Sequence, residues 1–109
     1  EEGFWFYDIG EERVEGNYVG GNRDGIWKVF YKDGKLAFLG KFSDDVPDGK
    51  HIYYYTNGYI KEEGTYVMGL KHGNWRKYNE SDGTLFLDIL YKNGVEKKYN
   101  GVPIKPDIN

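Results

Sequence analysis

The chain has no cysteine and a single methionine. Without thiols there is no disulfide framework, no thiolate metal site and no cysteine nucleophile. Proline is scarce, at 3 residues. Two of them, Pro103 and Pro106, mark Gly101–Pro106 as a segment that should not continue a hydrogen-bonded ladder, because proline has no amide donor. No apolar run approaches the roughly 18 residues of a spanning helix, and no amphipathic helical pattern occurs. A strong charge excess is missing too. With 15 basic and 18 acidic side chains and a net charge of -3, the domain lacks a general counterion-releasing surface. This argues against nucleic acid as a partner, although Lys28, Lys32 and Lys35 interleave with Phe30 and Tyr31. Glu1 stands where a methionine would open a nascent chain, as processing or trimming would leave it, and no targeting segment is visible. At 109 residues one domain, 1–109, is expected and a multidomain enzyme is excluded.

What is abundant is aromatic side chains and glycine. The chain carries 3 Trp, 11 Tyr and 6 Phe, together 18% of its residues, and 16 glycines. Burial must therefore come mainly from broad rings with polar tips, which suits a thin sheet. The glycines are periodic: Gly25, Gly49 and Gly73 are spaced by 24 residues, as are Gly16, Gly40 and Gly64. Other columns share the period. Trp27, His51 and Trp75 form one, and Tyr18, Phe42 and Tyr66 another. Asp33-Gly34 and Asn57-Gly58 keep the same interval. Asp82-Gly83, Tyr91 and Gly94 arrive one residue late, which places an insertion near Ser81. Gly3-Phe4-Trp5 matches Gly25-Ile26-Trp27.

Within each unit the apolar period is two, and Asp-Gly or Asn-Gly interrupts a β-branched and aromatic run, so the unit reads as a β-hairpin. Taking Asp33-Gly34 as a two-residue loop pairs Tyr31 with Leu36, Val29 with Phe38 and Trp27 with Gly40. The same construction at Asn57-Gly58 pairs Tyr53 with Glu62 and His51 with Gly64. A ring thus faces a glycine, whose bare backbone it can cover. For Trp5 to meet Gly16, the first turn must be Gly10-Glu11 rather than Ile9-Gly10, and both remain open. The opposite connections, from Tyr18 to Gly25, Phe42 to Gly49 and Tyr66 to Gly73, are polar and read as longer turns. The expected fold is all-β: a single elongated antiparallel meander of about four 24-residue hairpin units and about eight strands. Its units are residues 3–24, 25–48, 49–72 and 73–100, with a tail at 101–109. One face would carry Trp27, Val29, Tyr31, Leu36, Phe38, Phe42, His51, Tyr53, Tyr55, Ile60, Tyr66 and Trp75. The other would be mixed and would include Ala37, Tyr54, Lys61, Glu63 and Tyr78.

Catalytic chemistry finds little purchase. His51 sits in the tryptophan column and His72 in a turn column with Asp24 and Asp48, so each has a structural reason to be there, and their spacing matches no metal motif. Glu62 and Glu63 are neighbours on a strand and point to opposite faces. Asp44-Asp45-Val46-Pro47-Asp48 is acidic but lacks the ligand order of a calcium loop. Ser43 and Ser81 have no nucleophile-elbow glycines. No catalytic residue, metal site or cofactor is therefore expected. Residues 1–16 hold six acids against one base, which could steer that end towards a basic partner or solubilise an open sheet edge.

Gly16-Asn17-Tyr18, Gly21 and Asp24-Gly25-Ile26-Trp27-Lys28-Val29-Phe30-Tyr31, followed by Asp33-Gly34, resemble a MORN-type repeat, and Thr65–Trp75 resembles another. The bacterial variant is closest, found in proteins labelled YwqK-type antitoxin components of toxin-antitoxin pairs. The resemblance runs from about Gly3 to Gly94. Ser43–Pro47 replaces the family's glycine-centred loop and His51 its tryptophan. The resemblance implies a non-enzymatic repeat module for protein-protein interaction, with an antitoxin as one instance. An excess of aromatics on a sheet with no second layer makes Trp27, Tyr53, Tyr55 and Trp75 candidate anchors for a protein partner. The alternatives are a membrane-surface or phospholipid-associating module, as the eukaryotic family implies, and a small carbohydrate- or cation-binding protein. Self-association through open sheet edges is a further expectation.

Overall fold

The computed structural model describes the backbone of residues 3–8 and 12–103 and the side chains of residues 13–102. These residues form one antiparallel sheet in which each strand pairs with the next in sequence. The strands are β1 (Gly3–Asp8), β2 (Glu12–Val19), β3 (Asn22–Tyr31), β4 (Leu36–Ser43), β5 (Val46–Tyr54), β6 (Ile60–Val67), β7 (Leu70–Tyr78), β8 (Leu85–Lys92), β9 (Val95–Tyr99) and β10 (Val102–Pro103). The all-β meander is as expected, and no helix occurs among the described residues. It measures 51 × 36 × 19 Å, a slab one sheet thick. The strand count exceeds the expected eight by two because the chain after Asn93-Gly94 adds β9 against β8, and Asn100-Gly101, both at positive φ (50° and 83°), folds Val102-Pro103 back onto Tyr99 and Lys98. Gly101–Pro106 was expected not to continue the ladder; as far as Pro103 it does. Proline is tolerated on an edge strand, where no neighbour requires its amide.

The two kinds of connection are the reverse of the expectation. Tyr31 N–H donates to Lys35 O (2.7 Å) and Gly34 N–H to Tyr31 O (2.8 Å). The loop is therefore three residues, Lys32-Asp33-Gly34, with Gly34 left-handed at φ 92°, a type I turn closed by a glycine bulge. Asp33 Oδ1 accepts the Lys35 N–H at 2.9 Å, a local bond that favours this turn over the two-residue one. Tyr55 to Tyr59 repeats it. The insertion near Ser81 lengthens the third loop to Glu80–Gly83, where Gly83 N–H donates to Asn79 O. The other connections are tight two-residue turns with positive φ at both positions: Gly20-Gly21, Asp44-Asp45, Met68-Gly69 and Asn93-Gly94. Such type I′ turns match the twist of the strands, so polar flanking residues stay extended rather than forming loops.

The extra loop residue is compensated by a bulge. Phe30 pairs with Leu36, not Tyr31 with Leu36, and Ala37 is then bulged so that Val29 meets Phe38 and Trp27 meets Gly40. Lys61 is bulged in the same way between Tyr54↔Ile60 and Tyr53↔Glu62, which returns His51 to Gly64. In β1 and β2 the register pairs Trp5 with Gly16, while the two candidate turns fall on residues 9–11, outside the described residues.

The tryptophans do not cover the glycine that the hairpin turn sets opposite them, and His51, which pairs with both Gly40 and Gly64, covers Gly40. All three rings lean onto the glycine of the preceding strand. An added Cβ on Gly16 would lie 2.1 Å from Trp27 Cδ2, one on Gly40 2.7 Å from His51 Cε1, and one on Gly64 2.0 Å from Trp75 Cδ2. The cause is a wide irregularity beside each glycine. Three residues, Gly25–Trp27, stand opposite Gly16, and Gly73–Trp75 stand opposite Gly64. Asp48–Lys50 likewise stand opposite Lys41. Gly25 at φ 81° and Gly73 at φ 77° permit that excursion, which strains any other residue. Beside it each ring bonds a main-chain carbonyl of the preceding strand: Trp27 Nε1–H donates to Asn17 O (3.1 Å) and Trp75 Nε1–H to Thr65 O (3.1 Å). His51 Nε2 makes the same bond to Lys41 O at 2.8 Å. Because a carbonyl only accepts, this fixes the tautomer with the proton on Nε2.

The three rings are 4%, 2% and 4% exposed (Trp27, His51, Trp75) and belong to a continuous aromatic spine. Tyr18 meets Trp27 at 5.0 Å, Phe42 meets His51 at 5.1 Å, His51 meets Tyr66 at 4.8 Å and Tyr66 meets Trp75 at 4.9 Å, all edge to face. Such contacts each contribute about 0.5–1.5 kcal/mol beyond area burial. Val14, Trp27 and Phe42 form the buried centre of the described residues, with Tyr18, Val29 and Phe38 against it. The pattern stops at β8. There Ile89 stands in the glycine column and Asn100 in the tryptophan column. Asn100 closes the ladder instead, donating its N–H to Asp88 O (2.5 Å) and accepting Asp88 N–H on Oδ1 (2.7 Å).

Candidate functional site

The four candidate anchors divide. Trp27 and Trp75 are buried at 4% exposure and tied to backbone carbonyls, so they hold the sheet together. Tyr55 is half-buried, and its hydroxyl donates to Tyr78 O at 2.8 Å across two strands. Tyr31 makes the equivalent strut to Tyr54 O at 2.5 Å. Tyr53 is different. It is 39% exposed, packs against Phe38 with tilted rings 4.9 Å apart and borders a shallow concavity of about 440 Å³.

That concavity is built by β3 to β6. Val29, Tyr31, Phe38 and Phe42 supply apolar walls, and Tyr53 stands beside them. Ala37, Tyr54 and Lys61, expected on the opposite face, line it as well. Ala37 and Lys61 are the bulged residues of the β3–β4 and β5–β6 hairpins, and a bulge re-aims its side chain. Sequence reasoning missed both because strict alternation carries each past the hairpin loop on the wrong parity. The only legible signal was Asp33-Gly34 and Asn57-Gly58 themselves, which suit a three-residue loop with a glycine bulge as well as a two-residue one.

Two cationic side chains, Arg23 and Lys61, line the hollow. The Arg23 guanidinium lies 4.1 Å above the Phe42 ring and is held there by Asp45, whose Oδ1 accepts from Arg23 Nε at 2.8 Å and from its backbone N–H at 2.9 Å. Those bonds hold the Asp45 carboxyl below the usual carboxylate range. Lys61 is exposed, with Nζ 5.9 Å from the Tyr55 ring. Burial pushes the Tyr53 hydroxyl pKa up, assisted by Tyr66 and Glu62, so Tyr53 stays a neutral donor at physiological pH.

The other chemical candidates resolve into structure. Burial pushes the His51 pKa down; the bond to Lys41 O opposes this and Arg23 adds to it, so the ring is neutral in the spine. His72 lies in strand β7 opposite Thr65, and Asp24 and Asp48 lie in strands β3 and β5, not in the turn column expected for them. The three aspartates around the Asp44-Asp45 turn are committed separately: Asp44 to Asn22, Asp45 to Arg23 and Asp48 to Met68 N–H. Among the described residues no group of three or more His, Cys, Asp or Glu could hold a metal ion.

The mixed face carries its own network. Tyr78 O–H donates to Glu63 Oε2 at 2.5 Å, and Lys50 Nζ is 3.3 Å from Glu63 Oε1. Burial, reinforced by the Glu63 carboxylate, pushes the Tyr78 pKa up to about 12, and the Tyr78 hydroxyl in turn draws the Glu63 pKa down. Nothing in this pair is poised for proton transfer near neutral pH. No protein-family model and no curated protein matches this chain.

Proposed function

We propose that the chain is a non-enzymatic module for protein-protein interaction, and that the concavity beside Tyr53 takes a segment of the partner. One observation carries the reading: while Trp27 and Trp75 are all but buried, Tyr53 remains 39% exposed at an aromatic hollow of about 440 Å³ with Arg23 and Lys61 at its borders. An exposed tyrosine with a neutral hydroxyl is a typical interface anchor. The hollow suits an apolar or aromatic side chain set against Tyr53 and Phe38, with an acidic neighbour reaching Lys61. The resemblance of Gly16–Leu36 and Thr65–Trp75 to MORN-type repeats of the bacterial variant supports a binding role, and an antitoxin that masks its cognate toxin is the instance it suggests.

The test is affinity capture from native lysate with wild-type protein, Tyr53→Ser and Lys61→Glu, followed by titration of the captured protein against each. The reading expects both variants to keep the wild-type near-UV circular dichroism and to lose partner affinity by about tenfold or more, as removal of a hot-spot contact does. Undiminished binding by both variants refutes the concavity as the site. Sedimentation with anionic vesicles but no protein capture would replace this reading with the membrane-surface one.

A further inference from the structure

The row of tight turns along one long side of the sheet forms a separate surface. Each turn after the first hydrogen-bonds to the strand that follows the previous turn. Asp45 N–H donates to Arg23 O (2.9 Å), Gly69 N–H to Pro47 O (2.8 Å) and Gly94 N–H to Lys71 O (2.9 Å). The side chain after each turn then packs on the next turn: a Cβ on Gly69 would lie 3.1 Å from Val46 Cγ1, and one on Gly94 3.4 Å from Leu70 Cδ2. The turns are thus fused into a rigid ridge. Its middle is apolar and uncovered, with Val46 41%, Val67 45%, Met68 80%, Leu70 49% and Val95 56% exposed. Isolated exposed hydrophobics need no explanation, but a contiguous rigid row does.

The ridge has an internal symmetry. Met68 is on the third of the four tight turns, with one turn beyond it on the C-terminal side and two before it. Val46 follows the turn one unit before it and Val95 the turn one unit after it. The earlier turn is acidic, with Asp44, Asp45 and, just beyond, Asp48. Only Asp45 among them has an ion-pair partner, Arg23. The later turn is preceded by Lys92, which is exposed. A depression of about 270 Å³ lies between Val46 and Met68, bordered by Ser43 and Asp48. Rotation by half a turn about an axis through Met68 therefore brings Val46 onto Val95, the acidic turn onto Lys92, and each methionine towards the other copy's depression. This is the self-complementarity an isologous contact requires.

We propose that the occupant of this ridge is a second copy of the same chain, docked antiparallel about a two-fold axis at Met68. The contact joins hairpin tips and is distinct from strand addition at the sheet's open edges. Two repeat units at about 9.5 Å each, on a slab 19 Å thick, make a footprint of a few hundred square ångströms per copy. That is below the roughly 800 Å² per partner of stable complexes, so the dimer is weak and exchanges rapidly.

Sedimentation equilibrium on the full chain is expected to show mass rising from 12.7 kDa towards twice that value as concentration increases towards the millimolar range. Met68→Glu should abolish the rise, and Lys92→Glu should weaken association by about tenfold, with salt reducing the difference. Because the chain has no cysteine, single cysteines map the axis without background. Met68→Cys should cross-link with itself under mild oxidation, and Val46→Cys should cross-link with Val95→Cys in a mixture. Val19→Cys, on the first turn and far from the axis, should not cross-link with itself. A constant monomer mass up to the millimolar range overturns the proposal. So does association that survives Met68→Glu, or Val19→Cys cross-linking as fast as Met68→Cys.

Discussion

Replacing Gly64 by alanine is the most direct test of how the sheet is held. A Cβ at Gly64 would lie 2.0 Å from Trp75 Cδ2, 2.2 Å from Cε2 and 2.5 Å from Cγ. Non-bonded carbons settle near 3.5–4.0 Å, so the indole must retreat by about 1.5 Å. It has nowhere easy to go. Its Nε1–H is bonded to Thr65 O at 3.1 Å, Tyr66 stands edge-on at 4.9 Å on one side, and the Lys71 ammonium lies 4.7 Å from the ring. Overpacking of this kind costs about 1–3 kcal/mol and a lost net hydrogen bond about 1 kcal/mol. Against this, a less flexible unfolded chain returns about 0.4–1 kcal/mol. The expected net destabilisation is about 2 kcal/mol, a fall in Tm of roughly 10–15 °C for a domain of this size. Urea unfolding followed by tryptophan fluorescence measures it. Run alongside, Trp75→Ala alone should cost about 3–5 kcal/mol, and sucrose in all samples keeps that variant folded. In the Trp75→Ala background the Gly64→Ala penalty should disappear, because the two residues are coupled through one contact. A Gly64→Ala variant within 0.5 kcal/mol of wild type, or one with the same penalty with and without the indole, would refute the claim that glycine serves as the ring's floor.

Two further predictions concern the polar ends of the rings. His51 has its pKa depressed below the ordinary 6.5, chiefly by burial. The unfolded chain therefore takes up the proton first as pH falls, and stability is full above 6.5 and declines below it until the folded pKa is reached, by at most about 1.4 kcal/mol per pH unit. Urea midpoints from pH 8 to pH 5 should show that decline, and His51→Trp, which restores the ring of its column, should flatten it; a wild-type midpoint that rises on acidification contradicts the assignment. Tyr55→Phe removes the O–H donor to Tyr78 O (2.8 Å) while keeping the ring, and should cost about 1 kcal/mol in thermal or urea unfolding. No measurable change would mean that water replaces the strut without loss.

The letters alone determined the periodic skeleton. A ring, a glycine and an aromatic recurring at fixed intervals were enough to give an all-β meander. Trp27 opposite Gly40 and His51 opposite Gly64 in register, and an insertion near Ser81, could be read the same way, because strand pairing follows local turn signals and a strict period of two. Which turns are tight was not legible. Asp33-Gly34 suits a two- or three-residue loop, and the choice rests on a side-chain bond from Asp33 and a compensating bulge at Ala37. Only the assembled sheet decided where the rings lie. Extra residues at Gly25 and Gly73 shift the register, and each indole bonds a carbonyl of the preceding strand and lies over that strand's glycine, not the glycine it faces. The hairpin bulges carry Ala37 and Lys61 into the hollow beside Tyr53. Pairing is a local property that sequence spacing encodes. The direction of a side chain at a bulge depends on which neighbouring backbone group it can reach, and that is settled only when both neighbouring strands are in place.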